Sequence, residues 1–492
     1  MADNKDFKDG LKATSLFGGV QIYNILINIV RSKLVALLLG PEGMGFNGIL
    51  QSTIQLVNGV SGFGLGTSAV KNVSEAFATG NSTKLSYTIS VFRKLVWLTG
   101  VLGLIFFILL SPVFSKMSFG NYDYIYAFVA VSITVLFMQL TSGQMALLQG
   151  TRHFHYMAKA SLLGSTIGLI TSIPLYYFFY MNGVVPAIII ASITTLCIMR
   201  YFSRKVSYEK FSMSYITAVK KGSDMIKMGF FLSVQGMLSL LMAYVIRIFI
   251  NRYGGLTEVG LFVAGFAIVD TYVGMVFTAM GTEYYPRLSS HSNGTHQEFS
   301  ETINQQIKIS LLLVSPMICA FLIFGNLIVA LLYSNRFLPI TMMLCFAIMG
   351  IFFKAPSWCI SYSFLAKGDG VWFFYSEALA SLYQVLLQMF FFYYWGLTGI
   401  GIAYLLTYIV YSMQVELICK YRYKYSLDLS ILFFYVPQIL LGVICFILFV
   451  YVSPIYRYII GLLVSSFSVY LSYRLLNNYI NVNQIILKYL KK

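Results

Sequence analysis

Four cations lie inside stretches of the sequence that are otherwise strongly apolar. Arg31 and Lys33 fall in the run ILINIVRSKLVALLLG, and Arg247 and Lys354 lie in two later runs. A cation at the centre of a lipid-facing helix costs about 2.5–3.5 kcal/mol. Guanidinium and ammonium groups, in turn, make charge-assisted hydrogen bonds with phosphate oxygens. These residue types in this setting predict a hydrated cavity that receives an anion.

The depth of each cation decides how strongly it points to a cavity. Lys354 lies near the middle of its run, just before a proline that should kink the helix. A side chain at that depth does not easily reach the interface, so it should face protein or water, with an internal ion pair as the alternative. Arg31, Lys33 and Arg247 lie closer to the predicted ends of their runs. Snorkelling to the interface is the alternative for these three.

Carboxylates in the apolar runs are candidates for charge pairing or for coupling to an ion. Asp270, in GFAIVDTYVGM, lies in the middle of its run. It is predicted either to pair with Arg247 or Lys354, or to take up a coupling proton or cation. Glu283 and Glu377 are candidates of the same kind. No catalytic group and no metal site are predicted, because the six cysteines show no metal-ligand spacing.

The elements that must position these residues are helices of a membrane protein. Hydrophobic residues make up 58% of the 492 residues and charged residues only 10%, against about 25% charged in a soluble domain. Apolar runs of about 20 residues fit membrane-spanning helices rather than barrel strands. Fourteen spans are predicted, at roughly 15–39, 45–70, 86–112, 122–150, 157–181, 184–203, 223–251, 256–285, 303–333, 338–366, 371–395, 397–421, 430–452 and 455–476.

The loops between the spans set the predicted orientation. A cytoplasmic N-terminus places 26 of the 34 Lys and Arg residues inside and four outside, Arg457 among the four. Both termini are therefore predicted to be cytoplasmic. The net charge of +17 lies mostly in short loops, so nucleic acid is not a predicted partner. Arg152 lies in one cytoplasmic loop, where it either sets orientation only or makes the first contact with a phosphate.

An internal repeat organises the predicted spans. The stretch VRSKLVALLLGPEGMGFNG resembles IRIFINRYGGLTEVGLFVAG, and later segments match at similar offsets. Three charged pairs share an offset of 216 residues: Arg31 and Arg247, Glu42 and Glu258, and Lys71 and Arg287. The repeat predicts two parallel six-helix bundles, 1–222 and 223–428, with 429–492 adding two helices. Such bundles enclose a central cleft, where transporters bind substrate and where the two arginines would occupy equivalent places.

Four further segments carry a family resemblance: LLLGPEGMGFNGILQ, LLYSNRFLPI, SFLAKGDGVWFFYSEALAS and GIGIAYLLTYIVYS. They resemble the polysaccharide translocases of the multidrug/oligosaccharidyl-lipid/polysaccharide exporter superfamily, with particular likeness to O-antigen and enterobacterial-common-antigen flippases. The resemblance covers about residues 10–425. It implies two lobes in a V around a cationic lumen in the bacterial inner membrane.

The resemblance also implies a function. An undecaprenyl-diphosphate-linked oligosaccharide, such as an O-antigen repeat unit, would move from the cytoplasmic to the periplasmic leaflet by alternating access. A proton or cation gradient would drive the movement without a cofactor. The diphosphate would meet the intramembrane cations. The implied partners are the lipid-linked oligosaccharide, membrane lipids and other polysaccharide-assembly proteins.

Three other functions compete with this interpretation. A lipid II flippase also moves a diphosphate-linked sugar, and a multidrug exporter shares the fold but should favour an acidic cavity for cationic drugs. A membrane polymerase or glycosyltransferase would need a large external loop or an acidic catalytic motif there. The external loops are short and carry few acids. The chain is therefore not predicted to be an enzyme.

Overall fold

The computed structural model describes the backbone of residues 2–209 and 211–479, and the side chains of residues 19–209 and 211–477 apart from 272 and 434. Within these ranges the structure is helical and contains no strand, which confirms the all-α prediction. The α-helices are α1 (Ala2–Leu38), α2 (Gly40–Gly62), α3 (Leu65–Ala78), α4 (Ser82–Phe119), α5 (Ile125–Gly150), α6 (Phe154–Phe179), α7 (Val184–Ser203), α8 (Tyr215–Lys221), α9 (Ser223–Phe266), α10 (Gly274–Ser290), α11 (His296–Leu332), α12 (Thr341–Ala366), α13 (Gly370–Tyr423), α14 (Leu432–Tyr451) and α15 (Pro454–Tyr479).

Ten helical segments of the described chain are long and apolar enough to cross a membrane. Three of them run for 50, 68 and 54 residues, whereas one crossing needs only about 20 residues. The prediction of a multi-pass helical membrane protein is confirmed. The count of fourteen spans and the layout of the repeat stay predictions.

Glycines break the long helices where the backbone needs a positive φ. Gly396 has φ 56° and ψ −142° inside α13, at the point where two short-linked spans were predicted. Gly255, with φ 82°, interrupts α9 in the same way. A residue without a Cβ enters this region at little steric cost. A short 3₁₀ turn, Tyr180–Gly183, separates α6 from α7 at the other tightly linked pair.

The first compact unit comprises residues 1–260. Its helices approach each other closely at glycines. A Cβ on Gly45 would overlap the carbonyl of Leu256, and a Cβ on Gly260 would overlap the carbonyl of Pro41. Small residues of this kind let helix backbones touch inside a membrane. They hold α2 against the last part of α9.

The second compact unit comprises residues 261–492. Its centre is α11, α12 and α13, and the last two helices pack on α11. The Gln438 side chain of α14 joins α15 through buried hydrogen bonds of 2.9 Å to Ser472 and 2.8 Å to Ser468. The predicted lobe boundary between residues 222 and 223 falls inside the first unit. The division into 1–222, 223–428 and 429–492 stays a prediction.

Candidate functional site

Three elements of the second unit surround the ammonium group of Lys354. Lys354 lies in the middle of α12, two residues before the proline. A π-helical segment, Ala267–Val273, follows α9 and carries Asp270. The second half of α13 carries Tyr404. The Nζ atom donates to the Tyr404 hydroxyl at 3.0 Å and lies 3.5 Å from Oδ1 of Asp270. Single π-helical turns are rare in proteins, and those that do occur are frequently found at functional sites.

The two charges of this pair differ in their exposure to solvent. The Lys354 side chain is 18% exposed, and that of Asp270 is 54% exposed. Their separation exceeds the 2.7–2.9 Å that is typical of a tight charge-assisted hydrogen bond. An ammonium group has three donors, and Tyr404 and Asp270 account for two. The site therefore holds a mostly buried cation beside a carboxylate that is more than half exposed, and the two described contacts use two of the three ammonium donors.

A row of tyrosines runs along α13 from this cation to a second carboxylate. Lys354 Nζ lies 5.6 Å and 5.1 Å from the ring centroids of Tyr404 and Tyr408. The ring of Tyr408 lies 6.3 Å from that of Tyr411, whose hydroxyl donates to Oε1 of Glu377. Glu377 lies within electrostatic range of Lys354. The structure thus brings together three predicted residues, Lys354, Asp270 and Glu377.

The tyrosines are the part of the site that sequence reasoning missed. Tyrosines were expected to be mostly lipid or core contacts, some of them able to stack on sugar rings, but no individual tyrosine was singled out. Tyr404, Tyr408 and Tyr411 nevertheless follow the spacing i, i+4, i+7 in GIAYLLTYIVYS, which places them on one face of a helix. This spacing, in a run beside an intramembrane lysine, is the signal that could have found them.

The structure decides between the two predicted partners of Asp270. The carboxylate pairs with Lys354. Arg247 lies in α9 within the first unit, half-buried, and its Nη1 atom donates to the carbonyl of Ala243 at 2.7 Å. Lys33 is also half-buried, in α1. Cavity lining by Arg247 and Lys33 stays a prediction.

Arg31 occupies the interface between α1 and α6 in the first unit. Its Nη2 atom lies 3.6 Å from the position that a Cβ on Gly168 would take, and the Tyr176 hydroxyl is its main electrostatic neighbour. Nearby, the Tyr23 hydroxyl and Oγ1 of Thr166 share a hydrogen bond of 2.7 Å between the same helices. No carboxylate pairs with Arg31 among the side chains that are described. Its predicted contact with an anion stays a prediction.

Two predicted site residues lie apart from this cluster. Arg152 is exposed in the turn between α5 and α6, where it adopts a φ of 59°. Glu283 is exposed on α10 and forms a 3.0 Å ion pair with Arg287, one turn further along. A pair of this kind is common on helix surfaces. A first contact with phosphate at Arg152 and ion coupling at Glu283 stay predictions.

Arg457 is a buried cation that the sequence analysis placed among the external charges. It is 4% exposed in the first turn of α15. Its guanidinium carbon lies 4.8 Å from the ring centroid of Phe449 and 5.0 Å from that of Tyr458. One guanidinium nitrogen also faces the Phe449 carbonyl at 3.5 Å. The positive charge is therefore enclosed by two rings and the end of α14.

Comparison with known proteins shows similarity to a polysaccharide biosynthesis family and to flippases of lipid-linked oligosaccharides. The family described as polysaccharide biosynthesis protein matches residues 34–342, more than half of the chain. The lipid III flippase of Escherichia coli K12 is 23% identical over 417 residues, which cover 81% of this chain and 95% of that protein. The stage V sporulation protein B of Bacillus subtilis is 25% identical over 160 residues, or 32% of this chain and 30% of that protein.

Solved structures show which fold the chain adopts. An inward-facing multidrug resistance transporter of the MATE family is 16% identical, with a TM-score of 0.69, and the match covers 82% of this chain and 94% of that one. The lipid II flippase MurJ in an inward closed conformation is 13% identical, with a TM-score of 0.68 and coverage of 94% and 99%. The predicted resemblance to the multidrug/oligosaccharidyl-lipid/polysaccharide exporter superfamily is confirmed.

Proposed function

The chain belongs to the polysaccharide biosynthesis protein family, and from this premise we propose that it is a flippase for an undecaprenyl-diphosphate-linked oligosaccharide. It carries an O-antigen or similar repeat unit from the cytoplasmic to the periplasmic leaflet of the bacterial inner membrane by alternating access. The observation that carries the proposal is the similarity to a lipid III flippase over 95% of that protein's length.

The chemistry of Lys354 supports this substrate. A diphosphate is a compact anion, and an ammonium group with an unused donor in a mostly buried place binds it more strongly than water does. The neighbouring Asp270 keeps the cation compensated when the site is empty. Arg31, Lys33 and Arg247 are proposed to contact the diphosphate at other stages of its passage, with Arg152 as the first contact at the cytoplasmic mouth.

Carboxylates near Lys354 support coupling to an ion gradient. Asp270 and Glu377 lie at the two ends of the tyrosine row, and Asp270 is open to solvent. Uptake of a proton or cation by Asp270 weakens its hold on Lys354 and frees the ammonium group for the diphosphate. In proteoliposomes, an imposed proton or sodium gradient is expected to stimulate translocation, and Asp270→Asn should abolish the stimulation. A response equal to that of the unaltered protein would exclude Asp270 from coupling.

A chromosomal deletion in the native host tests the function directly. The mutant should accumulate a lipid-linked oligosaccharide on the cytoplasmic face of the membrane. Added reagents should therefore reach it in inverted vesicles but not in right-side-out vesicles. Mass spectrometry of that lipid identifies the sugar. Single repeat units on the periplasmic face would instead indicate a polymerase, and an unchanged lipid profile would overturn the proposal.

A lipid II flippase is the second candidate. Lipid II presents the same diphosphate chemistry to Lys354, so the site itself favours neither substrate. The same deletion separates the two. Accumulation of lipid II, together with loss of viability through failed cell-wall synthesis, would select this alternative.

A further inference from the structure

An aromatic cavity of about 410 Å³ lies between α10 and α12 in the second unit. Trp358 is at its centre, with ring centroids 5.4 Å from Phe277 and 4.8 Å from Tyr362. Tyr285 closes one side, 6.1 Å from Tyr362, and is 42% exposed. The cavity is therefore an open cleft lined largely by aromatic rings, rather than a sealed packing defect.

Hydroxyl groups accompany the rings. Thr278 and Thr282 of α10 line the cavity and are exposed, and the hydroxyls of Tyr285 and Tyr362 add two more polar groups. None of the described residues that line it carries a charge. Apolar walls with a few hydroxyls suit a ligand that has both C–H faces and hydroxyl edges. A sugar ring has this character, because its axial hydrogens form apolar faces that stack on aromatic rings.

A glycine keeps the cavity open. A Cβ on Gly281 would lie 2.9 Å from the Tyr362 hydroxyl oxygen and 3.4 Å from Cζ2 of Trp358. Glycine in the interior of a helix costs about 0.5–1 kcal/mol relative to alanine. At position 281 a side chain would lie between the backbone of α10 and the rings of Trp358 and Tyr362, so glycine is found there despite this cost.

The cavity lies next to the proposed diphosphate site on the same helix face. Lys354, Trp358 and Tyr362 are spaced i, i+4, i+8 along α12. At 1.5 Å per residue, Trp358 lies about 6 Å and Tyr362 about 12 Å along the helix from Lys354. Trp358, about one helical turn from Lys354, is therefore close enough to contact a sugar that is attached to a diphosphate bound at Lys354.

We propose that this cavity is a stacking site for an uncharged sugar, the one that directly follows the diphosphate of the lipid-linked substrate. The proposal rests on the proposed function, since Lys354 must hold the diphosphate for the sugar to reach Trp358. A neutral hexose or N-acetylhexosamine fits the uncharged lining. A uronic acid is disfavoured, because none of the described residues that line the cavity carries a charge that could pair with its carboxylate.

Binding to the purified protein in nanodiscs tests the site with three probes. These are undecaprenyl diphosphate, the same lipid carrying one N-acetylglucosamine, and the same lipid carrying one glucuronic acid. We expect the N-acetylglucosamine lipid to bind about tenfold more tightly than the bare lipid, the scale of one stacking and hydrogen-bonding contact. The glucuronic acid lipid should bind no more tightly than the bare lipid. Equal affinity for all three would overturn the proposal.

Variants separate this site from the diphosphate site. Trp358→Ala and Gly281→Val should erase the preference for N-acetylglucosamine and leave the affinity for the bare lipid unchanged, whereas Lys354→Ala should weaken all three probes. Trp395→Ala, at an exposed tryptophan of α13, is the matched control and should keep the preference. Gly281→Val keeps the Trp358 ring but fills the space beside it. Loss of the preference in this variant too would therefore not be explained by removal of the ring from the packing.

Each remaining outcome decides a different point. A preference that survives both Trp358→Ala and Gly281→Val would overturn the stacking site alone. A uniform loss of affinity for all three lipids in Trp358→Ala and Gly281→Val would assign the cavity to the prenyl chain and also overturn it. No saturable binding of any undecaprenyl diphosphate lipid to the unaltered protein would instead count against the proposed function.

Discussion

Lys354 and Arg457 are both cations among the helices of the second unit, but their surroundings differ in one decisive respect. Lys354 lies beside a carboxylate that is more than half exposed, and it donates to a phenol. Arg457 is enclosed by two aromatic rings and faces the Phe449 carbonyl in the last turn of α14. No carboxylate pairs with Arg457 in the part of the chain that the structure describes.

The difference shows how a cation among membrane helices can either join two helices or remain able to bind a ligand. The negative end of the α14 dipole and two ring faces compensate Arg457 permanently, so the cation fastens α14 to α15. Asp270 compensates Lys354 less firmly, because the two groups are 3.5 Å apart and the carboxylate is more than half exposed. A cation with a weak partner and an open side can exchange that partner for a ligand, whereas an enclosed cation cannot.

The largest expected effect is on stability, from Arg457→Ala. Loss of the guanidinium removes two desolvated cation–π contacts and the contact with the Phe449 carbonyl, at a cost of about 3 kcal/mol. Thermal unfolding of the detergent-solubilised protein and its membrane abundance measure this cost. Translocation per folded molecule should not change. A variant with normal stability but no translocation would place Arg457 in the transport path and end the contrast.

Lys354→Ala should produce the opposite pattern. Truncation of one member of a partly buried charge pair is expected to lower translocation about a hundredfold, because the diphosphate loses its cation. Abundance and thermal stability should stay close to those of the unaltered protein. Lys84→Ala, at an exposed lysine, is the control. Full complementation by Lys354→Ala would reduce the site to a structural ion pair.

Arg31→Ala tests whether the first unit contributes a cation of the same kind. The side chain is half-buried against Gly168 and has no described carboxylate partner, so its loss leaves no carboxylate uncompensated. We expect about tenfold lower translocation at normal abundance, the scale of one charge-assisted contact with an anion. Flipping assays in proteoliposomes measure it. If Arg31→Ala instead makes the protein unstable, Arg31 has a structural role like that of Arg457.

Tyr404→Phe sharpens the account of the Lys354 site. The change removes the 3.0 Å hydrogen bond but keeps the ring, so Lys354 should be less firmly positioned. Translocation is expected to fall about fivefold, in line with about 1 kcal/mol for one hydrogen bond. Tyr408→Phe is a matched control, because its ring faces the ammonium without a described hydrogen bond to it. Equal effects of the two changes would show that the rings, not the hydroxyl, position the lysine.

The smallest effect concerns an ion pair whose carboxylate is exposed. Lys308 lies 2.8 Å from Asp428 in the loop before α14, and with Ser430 it lowers the pKa of the Asp428 carboxyl to about 2. An unfolded aspartate has a pKa of about 3.9, so this contribution is complete above pH 4 and is lost as pH falls toward 2. Asp428→Asn should therefore cost at most about 1 kcal/mol at pH 7, because the carboxylate is well exposed.

The pH dependence of unfolding provides the check. The stability difference between the unaltered protein and Asp428→Asn should be constant from pH 7 to pH 5 and should shrink below pH 4. A difference that grows on acidification would contradict the assigned direction of the pKa shift.

Much of the framework was open to prediction from the sequence. Long apolar runs require helices in a bilayer, since every backbone polar group must be satisfied within its own segment. Glycine marked the break at Gly396, because only a residue without a Cβ enters that region cheaply. The depth of Lys354 in its run predicted that it faces a cavity or an internal ion pair; the structure shows the pair with Asp270, and the role in binding stays a prediction.

The composition of the site depended on contacts between distant parts of the chain. Asp270 is 84 residues from Lys354, and Tyr404 is 50 residues away. No local pattern chooses between Arg247 and Lys354 as the partner of Asp270. The choice follows from the packing of a π-helical segment and α13 around α12, which forms only in the folded unit.

The amino-acid sequence by itself determined that this is a helical membrane protein with cations in its apolar runs, because hydropathy and helix breaks are local properties. Only the tertiary structure decided which cation is enclosed and which remains open, because the compensation of a charge depends on what the fold brings within a few ångströms of it. Arg457 is buried between two aromatic rings, whereas Lys354 lies beside a carboxylate that is more than half exposed.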